Sequence, residues 1–231
     1  MKEAKVTVIK DGPYAVSGKL PLKKEIIVIG NEDEPEDWAD GEKYPDQEKY
    51  DLCRCGKSRK KPFCDGTHVK AGFNGKETAS LKISPGQTGT VSGPGLVLVD
   101  VPELCAGARF CHRSGGTWEL VRNSGDPKFR EIAIKEACNC PAGRLIVCEK
   151  KTGKPIEPGF KKSISLVEDP QNKVSGPLWV KGNVPIESAD GKPYEIRNRV
   201  TLCRCGKSQN KPFCDGAHVE ADFNDGDESL K

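Results

Sequence analysis

The sequence predicts an α+β protein of three small modules: two β-rich ones related by duplication, and an α+β insert between them. Three observations lead there. Residues 52–74, LCRCGKSRKKPFCDGTHVKAGFN, recur as residues 202–224, LCRCGKSQNKPFCDGAHVEADFN, with eighteen of twenty-three positions identical. The eleven cysteines fall into groups of three, five and three. Hydrophobic residues make up only 35% of the 231, beside 25 Gly and 17 Pro, which favours turn-rich modules held by a metal staple over one deep core.

The duplication reaches upstream of the cysteines. Gly12, Pro13, Val16, Gly18 and Pro21 match Gly176, Pro177, Val180, Gly182 and Pro185 at an offset of 164, whereas the cysteine segments match at 150. The first copy therefore holds 14 extra residues, assigned to the acidic stretch 31–51, whose composition reads as a solvated loop. Short strands are expected at 5–9, 14–17 and 25–29 in the first copy. In the second they are expected at 178–180, 194–196 and 200–202. Asp65 and Asp215 are expected to cap short helices carrying His68 and His218. In the insert, a strand is expected at 96–101 and another at 145–148. Between them a helix over 127–137 is capped by Asp126, opened by Pro127, and turns Phe129, Ile132 and Ala133 inward. Module boundaries follow at 1–82, 83–168 and 169–231.

Charge and hydropathy exclude several classes. A net charge of +3 from 37 basic and 34 acidic residues gives no nucleic-acid signature. No apolar run of about 18 residues is present and the first residues lack a signal core, so a cytoplasmic protein without a membrane partner is expected. Clustered cysteines in such a chain read as reduced metal ligands rather than disulfides. Trp118 and Trp179 read as packing residues. Ser114-Gly115-Gly116 lacks the Gly-Lys-Ser/Thr of a phosphate loop, and no nucleophile, base and orienter stand at local spacing, so no enzyme is expected.

The repeated site holds Cys53, Cys55, Cys64 and His68 in one copy and Cys203, Cys205, Cys214 and His218 in the other. Two thiols at Cys-x-Cys and a thiol–imidazole pair at Cys-x3-His make two clamps of two ligands each. That suits a [2Fe–2S] cluster, in which each iron takes two protein ligands. A structural zinc on the same four residues is the alternative, a zinc-stabilised binding module, although such sites more often use Cys-x2-Cys. Lys57, Arg54, Arg59, Lys60 and Lys61 make the first loop basic, and Arg204, Lys207 and Lys211 repeat it more weakly. These read either as a docking face for an acidic redox partner, as tuning of the site, or as solvated surface.

Both segments fit C-x-C-x2-[ST]-x3-P-x-C-D-G-[STA]-H, with Ser58, Pro62, Asp65 and Gly66 and with Ser208, Pro212, Asp215 and Gly216 at the fixed positions. In this the chain resembles the CDGSH iron–sulfur domain family, the mitoNEET-like proteins. The resemblance implies two [2Fe–2S] clusters, with the first two cysteines on an inner iron and the third cysteine and histidine on an outer one. It also implies a pairing of modules under a shared β cap. Two copies in one chain can make that pair internally, so a pseudo-two-fold monomer is expected. In the insert, Cys105-x5-Cys111 and the later Cys140-Pro141-Ala142-Gly143 resemble divergent single-cluster ferredoxin domains, with Ala108 where a middle cysteine would stand. That implies a [3Fe–4S] cluster on Cys105, Cys111 and Cys140, or [4Fe–4S] if Cys138, Cys148 or His112 supplies a fourth ligand. Cys138 and Cys148 also read as ordinary small apolar side chains. The function implied is single-electron transfer, or storage and transfer of clusters, with a redox or cluster-accepting protein as partner.

Overall fold

A computed structural model describes residues 4–83 and 85–231. The first copy contributes β1 (Lys5–Val8), β2 (Tyr14–Ser17), β3 (Leu22–Ile29), β4 (Pro35–Lys43), β5 (Lys49–Leu52) and the short α1 (Thr67–Lys70). The insert follows with β6 (Gly89–Ser92), β7 (Leu96–Asp100), α2 (Thr117–Arg122), α3 (Pro127–Asn139), β8 (Leu145–Glu149) and β9 (Pro155–Ile156). The second copy adds β10 (Ser163–Asp169), β11 (Val174–Lys181), β12 (Ile186–Glu187), β13 (Arg199–Leu202) and α4 (Ala217–Glu220).

The two copies exchange strands. β1, β2 and β5 form an antiparallel ladder, as do β10, β11 and β13. Each ladder then takes one parallel strand from the other copy. β12 joins β1 with Val6 opposite Ile186, and β3 joins β10 with Ile164 opposite Leu22. The prolines before the exchanged strands anchor them reciprocally: Val6 N–H donates to Pro185 O at 3.0 Å, and Ile164 N–H to Pro21 O at 2.9 Å. Leu22 and Ile186 stand 164 residues apart, so the exchange follows the duplication and relates the halves by a pseudo-two-fold. One core, with Val6, Tyr14, Leu52, Ile164, Leu178 and Leu202 among its members, is filled from both halves.

β10 is therefore the first strand of the second copy. The expected boundary at 168 falls at its end, because SISLVED shares no identity with KVTV and the duplication is invisible there. Residues 194–196 form no strand; Tyr194 turns its hydroxyl to Glu77 and Glu195 N–H bonds Leu81 O.

The acidic stretch is also not a solvated loop. Residues 35–43 form β4, which pairs with β3 and leans on the insert. Trp38 stacks between Phe110 and Trp179, with ring centroids 4.7 and 4.8 Å away. Its indole N–H donates to Asn139 O at 3.2 Å, and Asn139 Nδ2 donates back to Glu36 O. Glu32, Glu34 and Glu36 face Ser114, His112 and Arg113. The insertion is the strut that ties the first copy to the insert.

Within the insert, a β6–β7–β8–β9 sheet packs on α2 and α3 around Leu96, Leu98, Val121, Ala133 and Val147. Asp126 caps α3 as expected, accepting from Lys128 N–H. The helix runs two residues beyond 137, and it buries Ala133 and Ala137 while Phe129 stays 39% exposed. No helix among the described residues is long and apolar enough to cross a membrane.

Candidate metal centres

Each Cys-x-Cys leaves the end of a strand, β5 or β13, and a return loop brings the third cysteine back beside it. Cys53 N–H bonds Pro62 O and Cys64 N–H bonds Asp51 O; Cys203 and Cys214 repeat both bonds with Pro212 and Thr201. Ser58 and Ser208 donate to Phe63 O and Phe213 O inside the loops, at 2.6 and 2.7 Å. Asp65 accepts from Arg59 N–H and Thr67 N–H, and Asp215 from Gln209 N–H and Ala217 N–H. The cap position itself belongs to Gly66 and Gly216, so the aspartates act one residue earlier than expected and cinch the loop as well as the helix start.

The donor atoms stand in pairs. Cys53 and Cys55 sulfurs are 3.8 Å apart and Cys203 and Cys205 sulfurs 3.7 Å. Cys64 Sγ lies 3.4 Å from His68 Nδ1, and Cys214 Sγ 3.5 Å from His218 Nδ1. Two thiolates at roughly 2.3 Å from one tetrahedral metal are ~3.8 Å apart, and a thiolate and an imidazole ~3.6 Å. Each pair is thus spaced as two ligands of a single ion. Among the described residues no three Cys, His, Asp or Glu side chains gather where one ion could sit. Two clamps of two ligands each fit a binuclear cluster, which takes one clamp on each metal.

Electrostatics point the same way. Burial raises the Cys55 and Cys64 thiols, and raises Cys214 strongly with Cys203 nearby. Within the Cys203–Cys205 pair their mutual hydrogen bond, then burial, opposes the second ionisation. Crowded, desolvated thiols become thiolates only beside a compensating positive charge, which bound metal supplies. Backbone N–H groups of Lys57, Gly66, Lys207 and Gly216 already point at Cys55, Cys64, Cys205 and Cys214 sulfurs, from 3.4 to 3.5 Å.

The insert gathers its three expected cysteines as well. Cys105, Cys111 and Cys140 line one small cavity with Ala108, Phe110 and Arg144. Burial, with Cys140 beside it, pushes the Cys111 thiol up to about 12. The three other candidates point elsewhere. Cys138 Sγ faces Ile156 O at 3.7 Å, Cys148 lies on β8, and His112 is half exposed beside Glu34.

Several residues escaped the sequence reading. Arg54 and Arg204 belong to no basic surface: they are 1% and 3% exposed. Arg54 donates to Ile9 O and Gly75 O, while Arg204 pairs with Glu168 and Asp225. Tyr14, from the first copy, donates to Cys203 O and Pro212 O at 2.8 and 3.0 Å and pins the second copy's loop. Arg144 holds Asp100 and reaches Cys105.

The three sites adjoin one another in series. Gly56 rests on the backbone of Cys205, and Gly206 on that of Cys55; a β-carbon would come within 2.6 and 2.7 Å of the opposing carbonyl oxygens. On its other side the second site meets the insert. A β-carbon at Gly107 would lie 3.6 Å from Val219 Cγ2, and one at Gly216 3.6 Å from Cys105 O. Arg109 latches this contact with two bonds to Asp169, at 2.6 and 3.1 Å. His218 is consequently 4% exposed, and burial, with Arg204 nearby, holds its imidazole down at about 4. His68 is only half-buried.

Comparison with known families agrees with this arrangement. The description "iron-binding zinc finger CDGSH type" matches residues 11–69 and 175–219, and "divergent 4Fe-4S mono-cluster" matches residues 91–150. The chain thus carries two CDGSH-type regions with a mono-cluster region between them. Both family descriptions support iron–sulfur binding by this chain. No curated protein and no solved structure matches it.

Proposed function

We propose that this protein is a single-electron carrier built on three adjoining iron–sulfur sites. Cys53, Cys55, Cys64 and His68 hold one [2Fe–2S] cluster, and Cys203, Cys205, Cys214 and His218 a second. Cys105, Cys111 and Cys140 hold a [3Fe–4S] cluster, since among the described residues no fourth thiol or imidazole lines their cavity. The observation that carries the reading is the serial contact of the loops, Cys55 to Gly206 and Gly216 to Cys105, each without an intervening side chain. When bound, such clusters supply reversible one-electron chemistry.

The chain's own residues set the conditions for it. The four backbone N–H groups aimed at sulfur stabilise negative charge on the ligands, and a neutral imidazole in place of a fourth thiolate removes one negative charge from the site; both favour reduction. The strand exchange and the Gly56–Gly206 contact fix the distance between the copies. Arg109 and Asp169 fix that between the second copy and the insert.

The test is anaerobic purification followed by iron and sulfide analysis and EPR before and after reduction. The expected result is a red-brown protein with about seven irons. An oxidised signal is expected from the middle site alone, because oxidised [2Fe–2S] clusters are EPR-silent. A colourless protein with one zinc per site would leave only a scaffold.

A further inference from the structure

The second copy shows how a CDGSH face receives a cluster-bearing loop. The Cys105–Cys111 loop of the insert sits on it, with Gly107 against Val219 and Gly216 against Cys105. The first copy has the same face, and among the described residues no loop covers it there: a β-carbon at Gly66 would meet nothing within 4 Å. Val69, the counterpart of Val219, is 74% exposed, the highest value among the large hydrophobic residues described.

The two faces differ in charge, and in little else. Five positions separate the 23-residue segments: Arg59/Gln209, Lys60/Asn210, Thr67/Ala217, Lys70/Glu220 and Gly72/Asp222. At those positions the open face carries +3, from Arg59, Lys60 and Lys70, and the covered face −2, from Glu220 and Asp222. The covered side of the second copy is acidic toward its occupant: Arg109 of the insert pairs with Asp169, and Glu220 lines the same cleft. On the open face Arg59, Lys60 and Lys70 are exposed, and none makes an ion pair among the described residues. Lys57 is exposed beside them.

We propose that the open face of the first copy is the docking site for an acidic, ferredoxin-type protein, which seats its cluster loop around Val69 and His68 as the insert's loop sits around Val219 and His218. The kind of partner rests on the redox reading above; the location and the sign of its charge rest on the comparison of the two faces. Three unpaired cations around an apolar centre suit an interface with a hydrophobic middle and a charged rim. They also steer an acidic partner at low ionic strength.

The test uses the full chain with its clusters and an acidic plant-type [2Fe–2S] ferredoxin as probe, with affinity measured by calorimetry at low and at physiological salt. The triple variant Arg59→Gln, Lys60→Asn, Lys70→Glu gives the open face the covered one's side chains at three of the five differing positions. It is expected to weaken binding at least about tenfold at low salt. The control Lys151→Glu, Lys154→Glu makes the same change in net charge in the exposed turn between β8 and β9, and is expected to stay within about twofold. Val69→Asp is expected to weaken binding at both salt concentrations. Equal loss in the control, no loss in the triple variant, or no binding of the ferredoxin by the parent protein would each overturn the proposal. So would a larger effect of the triple variant on binding to phosphatidylserine vesicles than to ferredoxin. Iron and sulfide are measured on the same samples: full clusters with charge-independent binding reject the docking site alone, whereas zinc in place of iron rejects the redox reading itself.

Discussion

Arg199 of the second copy donates to the carbonyl oxygen of Cys140 in the insert, at 2.5 Å. The same guanidinium also bonds Ala137 O, Leu145 O and both carboxylate oxygens of Glu157, and the residue is 1% exposed. It thus closes the end of α3 and sets the backbone from which one expected ligand projects. Arg199→Ala strips the guanidinium from these carbonyls and leaves Glu157 without its buried counter-charge, with Asn198 Nδ2 as a remaining donor. A cost of about 3–5 kcal/mol in denaturant unfolding is expected, with iron lost preferentially from the middle site. EPR of the oxidised protein reads that loss separately from the two outer sites.

Gly56 and Gly206 hold the copies together through backbone alone. Both have positive φ, at +73° and +80°, and each faces a carbonyl at a distance no β-carbon tolerates. Gly56→Ala and Gly206→Ala are each expected to cost about 1–3 kcal/mol, from the strained backbone and the forced separation. Thermal melts check the stability, and the magnetic coupling between the reduced outer sites should weaken in step.

The cysteine loops were legible because their chemistry is local: ligands, turn residues and caps lie within about twenty positions. The exchange of β3 and β12 was not, since parallel pairing between distant segments leaves no periodic mark. Nor was β4 legible. Its carboxylates pair with Lys23 and Lys24 of β3 or with Arg113 and Lys135 of the insert, and a single Trp38 among charges does not read as a strand. Trp38→Ala is therefore a direct check on the strut. A loss of roughly 2–3 kcal/mol is expected for a half-buried aromatic in contact with two others. Faster amide exchange should follow in the 105–111 loop, whose Phe110 loses its partner, and not in the 53–64 loop.

Stability should depend on pH through Glu136. It is 2% exposed on α3, accepts from Thr117 Oγ1 at 2.6 Å, and is faced by Arg113 and Glu32 from neighbouring elements. Burial outweighs the Thr117 bond and Arg113, and lifts the carboxyl to about 7. The folded state thus holds this proton more tightly than the unfolded chain. The stabilisation is fully present below about pH 4.5 and is lost as pH rises through about 7, on the order of 3–4 kcal/mol in all. Glu136→Gln should flatten that slope between pH 5 and 8 in denaturant titrations; an unchanged slope would assign it to another group.

The outer histidines should differ in acid. Protonation of a coordinating imidazole nitrogen competes with metal, so acid releases a histidine-held cluster. Protons and water reach half-buried His68 directly, while His218 lies under the 105–111 loop behind the Arg109–Asp169 latch. Bleaching of the visible absorption after a drop to about pH 5 should therefore show a fast phase and a slow one. His68→Cys should remove the fast phase and His218→Cys the slow one, while Arg109→Ala should bring the slow phase toward the fast. If both phases vanish in either single histidine variant, the two sites release together and the latch does not shield the second.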